Sequence, residues 1–418
     1  MNTTSKSLNR VVVTGMGIVS PVGNDIATAW NNILNGVSGI SAIDDYDASN
    51  LPVRFRGSIR NFDFSKYFNA KEARKMDLFI HYGLAAAVDA IEDSGLTFND
   101  EETADKAGVI IGSGIGGLPG MLGGYKDFLS NGARRVSPFY VPSNIINMIS
   151  GNVSIRYGLR GPNLATTTAC ASATHSISQA YRLIQHGDAE IMIAGGAEMA
   201  GNDMGIAGFA AAKALSTRND NPELASRPWD KDRDGFVLAD GAGVLVLETL
   251  ERAQRRGAKI YGEIIGIGMS GDAYHITATH PDGKGAARCM QNALQDAEIT
   301  AAEIDYINAH GTSTPIGDLA ETRAIKIALG DEAKNTVISS TKSMTGHALG
   351  AAGGLEAIFT LLALRDGKIP PTINLENPSE ECNLDYCPKT ARDAKLKIAM
   401  SNSFGFGGTN GTIIFRKM

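Results

Sequence analysis

Cys170, His310, Lys342 and His347 are the residues whose types and settings allow covalent chemistry in this sequence. Cys170 lies in TTTACASATHS, where a Thr-rich segment runs into a helix of small residues. Backbone N–H groups at a helix start favour a thiolate, so the spacing predicts a lowered thiol pKa. Ala169, Ala171 and Ala173 leave room for a substrate to reach the sulfur. A lone cysteine is by default a buried structural residue, and only its company can change that reading. His310 follows the apolar strand DYIN and opens NAHGTSTPIGD. That places an imidazole at a strand's carboxyl end, where α/β proteins bind ligands. The plainer alternative is a histidine that caps a turn. Thr312 and Thr314 offer hydroxyls to a polar linker. His347 lies in STKSMTGHALGAAGG, with Lys342 five residues earlier on the loop before the next helix. A neutral imidazole near a helix start can donate a hydrogen bond while its own pKa is depressed. Lys342 would add fixed positive charge, against the plain alternative of a solvated loop lysine.

The tail SNSFGFGGTNG carries Phe404 and Phe406 on a glycine-rich turn. Its glycines permit hinge motion, and a backbone N–H there can serve as half of an oxyanion hole. The alternative is a β-turn with packed phenylalanines. Gly112, Gly114 and Gly117 spell a G-x-G-x-x-G after a strand, but Ser137 and Pro138 stand where a dinucleotide site wants an acidic residue. That motif is set aside. His81, His175, His186, His275 and His280 show no metal-ligand spacing. His175 sits one helical turn beyond Cys170, with nothing to mark it as reactive. Of the other cysteines, Cys382 and Cys387 read as two loop thiols, because no second pair follows to complete a zinc site. The expectation is no metal and no disulfide.

These residues need a scaffold. Strand patterns fall at 10–15, 107–112, 190–195, 242–248, 261–267, 304–308, 336–341 and 410–415, with helical patterns between several of them. The alternation predicts α/β layers. One motif is written twice. The first copy leads to Cys170 and a helix with Ile177, Ala180, Tyr181 and Ile184 on one face, capped at Gly187. The second leads to His347 and a helix with Leu355, Ile358, Phe359 and Leu362 on one face, ending near Gly367. Each helix is followed later by a strand, a glycine turn and another strand: EIMIAGG and DGAGVLVLE early, KIAMSNSF and GGTNGTIIF late. The reading is an internal duplication that makes Cys170 and His347 counterparts facing one cleft. The halves are taken as residues 1–255, holding the nucleophile, and 256–418, holding His310, Lys342 and His347. The stretches 115–160 and 200–235 read as insertions.

Composition narrows the function. Of 418 residues, 43% are hydrophobic and 20% charged, as in an ordinary globular protein with a large core. A net charge of −6 argues against nucleic-acid binding. Residues 1–10 lack the apolar core of a signal peptide, and no run of about 18 uncharged apolar residues predicts a membrane span. A cytoplasmic location is expected.

The motifs as a set resemble the β-ketoacyl-acyl carrier protein synthases of bacterial fatty acid synthesis, in particular the synthase II type. The resemblance rests on RVVVTGMGIVSPVG, GSGIGGL, YGLRGPN, TTTACASATH, AGGAEMA, ALSTRNDNPELASRPWDKDRDGFVLADGAG, NAHGTSTPIGD, SSTKSMTGHALGAAGG, PPTINLENP and SNSFGFGGTNG, in that order and over nearly the whole chain. It implies a thiolase-like α/β fold, internally duplicated in five α-β-α-β-α layers, and a homodimer. It implies Cys170 as the acylated nucleophile, His310 and His347 as donors to the malonyl thioester carbonyl during decarboxylation, and Lys342 as support for their geometry and charge. The N–H groups of Cys170 and Phe406 would form the oxyanion hole, with Phe406 as the gate. Ile115 and Phe209 match the acyl pocket of synthase II; synthase I tends to have glycine where Ile115 stands. Phe404 belongs to the same substrate-binding set. Thr277, Thr312 and Thr314 would hold the pantetheine arm, though Ala278 and Thr279 stand where the family commonly has Ser and Pro.

The implied reaction is decarboxylative elongation of a cysteine-bound acyl chain by malonyl-carrier protein, with ping-pong kinetics. Acyl- and malonyl-carrier proteins are the expected partners. No resident cofactor is expected, because the 4'-phosphopantetheine arrives on the carrier. The carrier is acidic, so Arg74, Lys75, Arg134, Arg135 and Lys213 are candidate contacts. Alternatives are a ketosynthase of a polyketide-like pathway, a synthase I with another chain preference, a thiolase, or a non-catalytic partner. A thiolase would want a second reactive cysteine near the C-terminus, where this tail has none.

Overall fold

The computed structural model describes residues 8–418, so the reading of residues 1–10 falls mostly outside it. Ten strands form one sheet: β1 (Val11–Val19), β2 (Ala107–Gly112), β3 (Asn163–Leu164), β4 (Ile191–Glu198), β5 (Gly241–Thr249), β6 (Gly262–Gly271), β7 (Tyr306–Asn308), β8 (Val337–Ser339), β9 (Ile398–Gly405) and β10 (Thr409–Arg416). The helices that flank it are α1 (Leu78–Ser94), α2 (Met148–Tyr157), α3 (Ser172–His186), α4 (Lys284–Asp296), α5 (Pro315–Leu329) and α6 (Ala352–Asp366).

The strand order is β8-β7-β9-β10-β6-β1-β5-β4-β2-β3. Read outward from the centre, both halves repeat one pattern. β1 pairs antiparallel with β5, β5 antiparallel with β4, then β4 with β2 and β2 with β3 in parallel. β6, β10, β9, β7 and β8 follow the same sequence of antiparallel and parallel pairings. Within the sheet the halves meet where Val11, Val12 and Val13 of β1 pair with Ile264, Glu263 and Gly262 of β6.

Alternation along the strands explains the layers. In β5, Val244 and Val246 face one apolar cluster, while Leu245 and Leu247 face another. The first cluster packs under α1, the second against α3 and α6. In β9 and β10, Met400 and Ile414 face the cluster under α4 and α5, while Ala399, Ile413 and Phe415 face the central helices. Successive strand side chains point to opposite faces, so strands covered on both sides must be apolar throughout. The order across the molecule is therefore α1 and α2, a half-sheet, α3 and α6, a half-sheet, α4 and α5. This is the five-layered arrangement that the resemblance implied. α6 is apolar on every side, with Leu355, Ile358, Phe359, Leu361, Leu362 and Leu364 all buried, as a helix in a middle layer must be. Each such side chain contributes about 1.5–3 kcal/mol.

β1 runs four residues past the predicted segment. Glycine weakens a strand by propensity, and Gly15 and Gly17 end the sequence pattern. Here they admit α1: a Cβ on Gly17 would lie 1.9 Å from the Ala86 carbonyl oxygen. The stretch 115–160 is mainly helical, and α2 at its end packs on β2. The stretch 200–235 forms a helix, Asp203–Ala211, and a loop over the site. Among the described residues no helix is long and apolar enough to cross a membrane.

The middle layer leaves no room at its glycines. A Cβ on Gly354 of α6 would lie 2.3 Å from the Gly243 carbonyl oxygen of β5. Gly354→Val should therefore cost about 3 kcal/mol, since backbone on both sides must move apart. Thermal unfolding would read this as a lowered midpoint, and an unchanged midpoint would refute the close packing.

Candidate active site

The two central helices start from matching turns. Ala169–Ala171 and Leu349–Ala351 are each one 3-10 turn, each followed by a 15-residue helix that ends at a left-handed glycine, Gly187 or Gly367. Ala169 and Leu349 both have positive φ, 49° and 44°. A non-glycine residue in that region is held against its preference by its surroundings. The offset that carries Ala169 to Leu349 carries Cys170 to Gly350 and His347 to Thr167. The pairing of Cys170 with His347 as counterparts is thus corrected: the true counterpart of Cys170 is Gly350, and His347 precedes the turn. The sequence pattern misled because both residues stand out chemically while Gly350 does not.

Cys170 is fixed by its neighbours. The Ala171 N–H donates to Thr168 O (3.1 Å), the Ser172 hydroxyl to Ala169 O (2.7 Å) and the Thr168 N–H to Ser172 Oγ (2.9 Å). Gly405 at the end of β9 lies against this turn, where a Cβ would be 3.2 Å from the Cys170 nitrogen. The Phe406 N–H and the residue's own N–H lie near enough to the sulfur to favour its ionised form.

The expected lowering of the thiol pKa is overturned. Burial pushes the Cys170 thiol up to about 12, against the lowering influence of Lys342 and the Phe406 N–H, with Glu198 adding to the rise. Desolvation of a thiolate outweighs the helix start here.

His310 follows β7. Its N–H donates to Glu321 Oε1 (2.8 Å) and the Gly311 N–H to Glu321 Oε2 (2.7 Å), so a buried carboxylate on α5 sets the turn. Burial pushes Glu321 up to about 7 while those N–H groups pull it down. His347 is held through its backbone: its N–H donates to Val237 O (2.7 Å) and its carbonyl accepts from the Ala239 N–H (3.0 Å). The two imidazoles stand edge to face, centroids 5.3 Å apart, with Phe236 against His347 and Phe404 against His310. Both pKa values lie well below the usual 6.5, first through burial and then through the charge of Lys342. Both Nδ1 atoms are buried and have no hydrogen-bond partner among the described residues.

Lys342 is neither a loop lysine nor a wall of the cavity. It opens the one-turn helix Lys342–Thr345, is 1% exposed, and pairs with Glu356 of α6. Burial raises the Glu356 carboxyl, opposed by that ammonium. Removing water from around the pair lets its charge act on both histidines at short range.

These groups open on one cavity of about 530 Å³. Cys170, His310 and His347 line it, as do Ile115, Phe209, Thr277, Thr312, Thr314, Phe404, Phe406 and Lys213. Thr312 and Thr314 share a 3.2 Å hydroxyl contact, and Ala278 and Thr279 also reach the wall. Ile115 and Phe209 pack with Cys170 and Leu349 in one apolar cluster. The Phe406 ring, 37% exposed, lies 6.4 Å from Phe209 on a turn whose Gly407 and Gly408 have φ of 85° and 70°. Arg74, Lys75, Arg134 and Arg135 lie on outer segments away from the wall, and the Lys75 ammonium sits 5.0 Å over the Phe139 ring. Sequence reasoning missed Leu349, Phe236, Glu198, Glu321 and Glu356. Of these, Glu356 could have been noticed as a lone charge within an apolar helix.

Residues 8–253 match the family model for the beta-ketoacyl synthase N-terminal domain, and residues 261–376 match that for the C-terminal domain. The 3-oxoacyl-[acyl-carrier-protein] synthase 2 of Vibrio harveyi is 57% identical over 413 residues, 99% of each chain. That of Coxiella burnetii is 54% identical over 409 residues, 98% of this chain and 99% of the relative. A beta-ketoacyl synthase structure from Burkholderia phymatum superposes with a TM-score of 0.91 at 36% identity, covering 98% of this chain and all of the other. The AntDE:AntF assembly, a type II PKS acyl-carrier protein in complex with its ketosynthase bound to the hexaketide, also gives 0.91, at 33% identity over 99% and 100% of the chains.

The charge of Lys342 lowers both imidazoles, so its removal should raise them. NMR of labelled histidine should find His310 and His347 neutral at pH 6.5 in the wild type and titrating at higher pH in Lys342→Met. Unmoved titrations would refute the electrostatic coupling.

Proposed function

The chain belongs to the beta-ketoacyl synthase family, and on that premise we propose that it is a 3-oxoacyl-[acyl-carrier-protein] synthase of type II, elongating acyl chains in fatty acid synthesis. The observation that carries the mechanism is the convergence of Cys170, with two N–H groups at its sulfur, and two neutral imidazoles on one cavity. A polyketide ketosynthase shares the architecture at 33% identity, whereas relatives at 57% and 54% identity bear the name 3-oxoacyl-[acyl-carrier-protein] synthase 2.

Acyl transfer comes first. The Cys170 sulfur attacks the carrier thioester; Cys170 gives up a proton and the departing pantetheine thiol takes one, so the exchange is proton-neutral. A thiol pushed up to about 12 is inert at rest, which protects it from adventitious oxidation. The tetrahedral oxyanion forms where the N–H groups of Cys170 and Phe406 converge. Malonyl-carrier then enters. Its carboxylate carbon leaves as carbon dioxide, and the electron pair of the broken bond becomes an enolate. Neutral His310 and His347 donate to the enolate oxygen, so its charge needs no metal. The enolate carbon attacks the acyl carbonyl, and the expelled Cys170 sulfur takes up one proton from solvent, the one that the decarboxylation of a carboxylate consumes overall. The product is a 3-oxoacyl chain two carbons longer on the carrier.

Ile115, Phe209 and Leu349 bound the acyl end of the cavity, and Phe406 gates it on its paired glycines. Thr277, Thr312 and Thr314 take the pantetheine arm, and the carrier docks near Lys213 with Arg74, Lys75, Arg134 and Arg135 around it. The pantetheine comes with the carrier, and no resident cofactor is required. A homodimer fits the exposed apolar side chains Met121, Tyr125, Phe128 and Leu129, and Leu164 on the edge strand β3. Four free, buried cysteines suit a cytoplasmic location.

Incubation with a long-chain acyl-carrier protein should add the mass of the acyl group to the wild type and nothing to Cys170→Ala. An adduct that survives in the variant would exclude Cys170 as nucleophile. His310→Ala and His347→Ala should still acylate but release carbon dioxide from malonyl-carrier at least about 100-fold more slowly. Normal release by both would remove the histidines from decarboxylation.

A further inference from the structure

Glu198 ends β4 and is fully buried. Its Oε1 accepts from the Ser113 hydroxyl (2.7 Å) and the Ile115 N–H (3.1 Å). Its Oε2 accepts from the Gly114 N–H (2.7 Å) and the Gly350 N–H (2.9 Å). Each of these partners is a donor. Burial raises this carboxyl, but its partners are backbone N–H groups, which can only donate, and a Ser113 hydroxyl whose oxygen already accepts from the Gly116 N–H (3.1 Å), a set that matches a carboxylate.

The donors come from both halves of the molecule. Ser113, Gly114 and Ile115 follow β2, while Gly350 belongs to the turn before α6. Ile115 and Leu349, the residues beside these donors, are walls of the acyl cavity and pack in one cluster with Cys170. The contact has no slack: a Cβ on Gly350 would lie 2.2 Å from the Gly114 nitrogen and 2.8 Å from Glu198 Oε2.

We propose that Glu198 is a positioning residue that sets acyl-chain specificity, its carboxylate tying the Ile115 loop to the Leu349 turn across the two halves behind Cys170. This rests on the acyl-cysteine reading above. Glu198 does not touch substrate and acts through Ile115 and Leu349. Its charge has a second effect. Lys342 and the Phe406 N–H favour a thiolate at Cys170, and Glu198 opposes it; His310 and His347 on the same cavity are neutral. Glu198 thus helps to keep the thiol protonated until a carrier docks.

The test uses three variants of the full chain. Glu198→Gln removes the charge and turns an amide N–H toward backbone donors. Its preference among acyl-carriers of graded length, read as the ratio of kcat/KM values, should flatten by about tenfold. Cys170 should also react with iodoacetamide at least about threefold faster at pH 8, since less charge opposes the thiolate. Glu198→Asp keeps the charge with a shorter reach, so the length preference should flatten while the alkylation profile stays. Ser113→Ala deletes one donor with little risk to folding and should flatten the preference about threefold; it decides the question if Glu198→Gln is insoluble. Variants that acylate with wild-type length preference and wild-type alkylation overturn the proposal. A wild type that takes no acyl group fails the earlier reading instead, and the alkylation comparison still tests the charge.

Discussion

The site depends on how closely the two central helices meet at their N-terminal ends. Gly353 of α6 has no side chain because a Cβ there would lie 2.0 Å from the Thr174 hydroxyl oxygen of α3. One turn earlier, Gly350 touches the backbone of Gly114. This contact lets the turn that carries Cys170 and the segment that carries His347 share one cavity. It also removes water from the space between them. Desolvation then governs the chemistry: it raises the thiol, lowers both imidazoles and gives Lys342 its reach.

Duplication built this arrangement and divergence made it useful. The two turns share their backbone, down to a strained non-glycine residue at the same place. One keeps a cysteine and the other keeps a glycine, because a side chain there would have no space. The charged groups beneath follow a different logic. Lys342, Glu356 and Glu321 are buried together, an expensive grouping unless its members are paired and hydrogen-bonded. Lys342 pairs with Glu356 and Glu321 accepts two backbone N–H groups, and what they provide is a fixed field at neutral donors.

The α/β alternation was legible because apolar strands and one-faced helices leave strong patterns, whereas the five layers followed from the resemblance. Ile177, Ala180, Tyr181 and Ile184, with Leu355, Ile358, Phe359 and Leu362, fell on the faces that the period requires. Cys170, His310 and His347 were legible through their motifs. The protonation state of Cys170 was not, because local helix polarity can be read from sequence and desolvation cannot. Lys342 looked like a loop residue because its partner, Glu356, lies on another element. Glu198 and Glu321 were invisible for a related reason. Their donors are backbone N–H groups, which every residue offers and no sequence advertises.

The shared middle layer has a consequence for how the chain is made. The inner face of β5 carries Leu245 and Leu247, and much of its cover is α6, whose last residue is Asp366. At about 5–20 residues per second, a ribosome completes β5 on the order of ten seconds before it completes that cover. During that interval the first half presents a broad apolar sheet to its surroundings. Neither half is a natural stopping point for synthesis, and a chain truncated between them would be a client for chaperones or proteases rather than a smaller working protein.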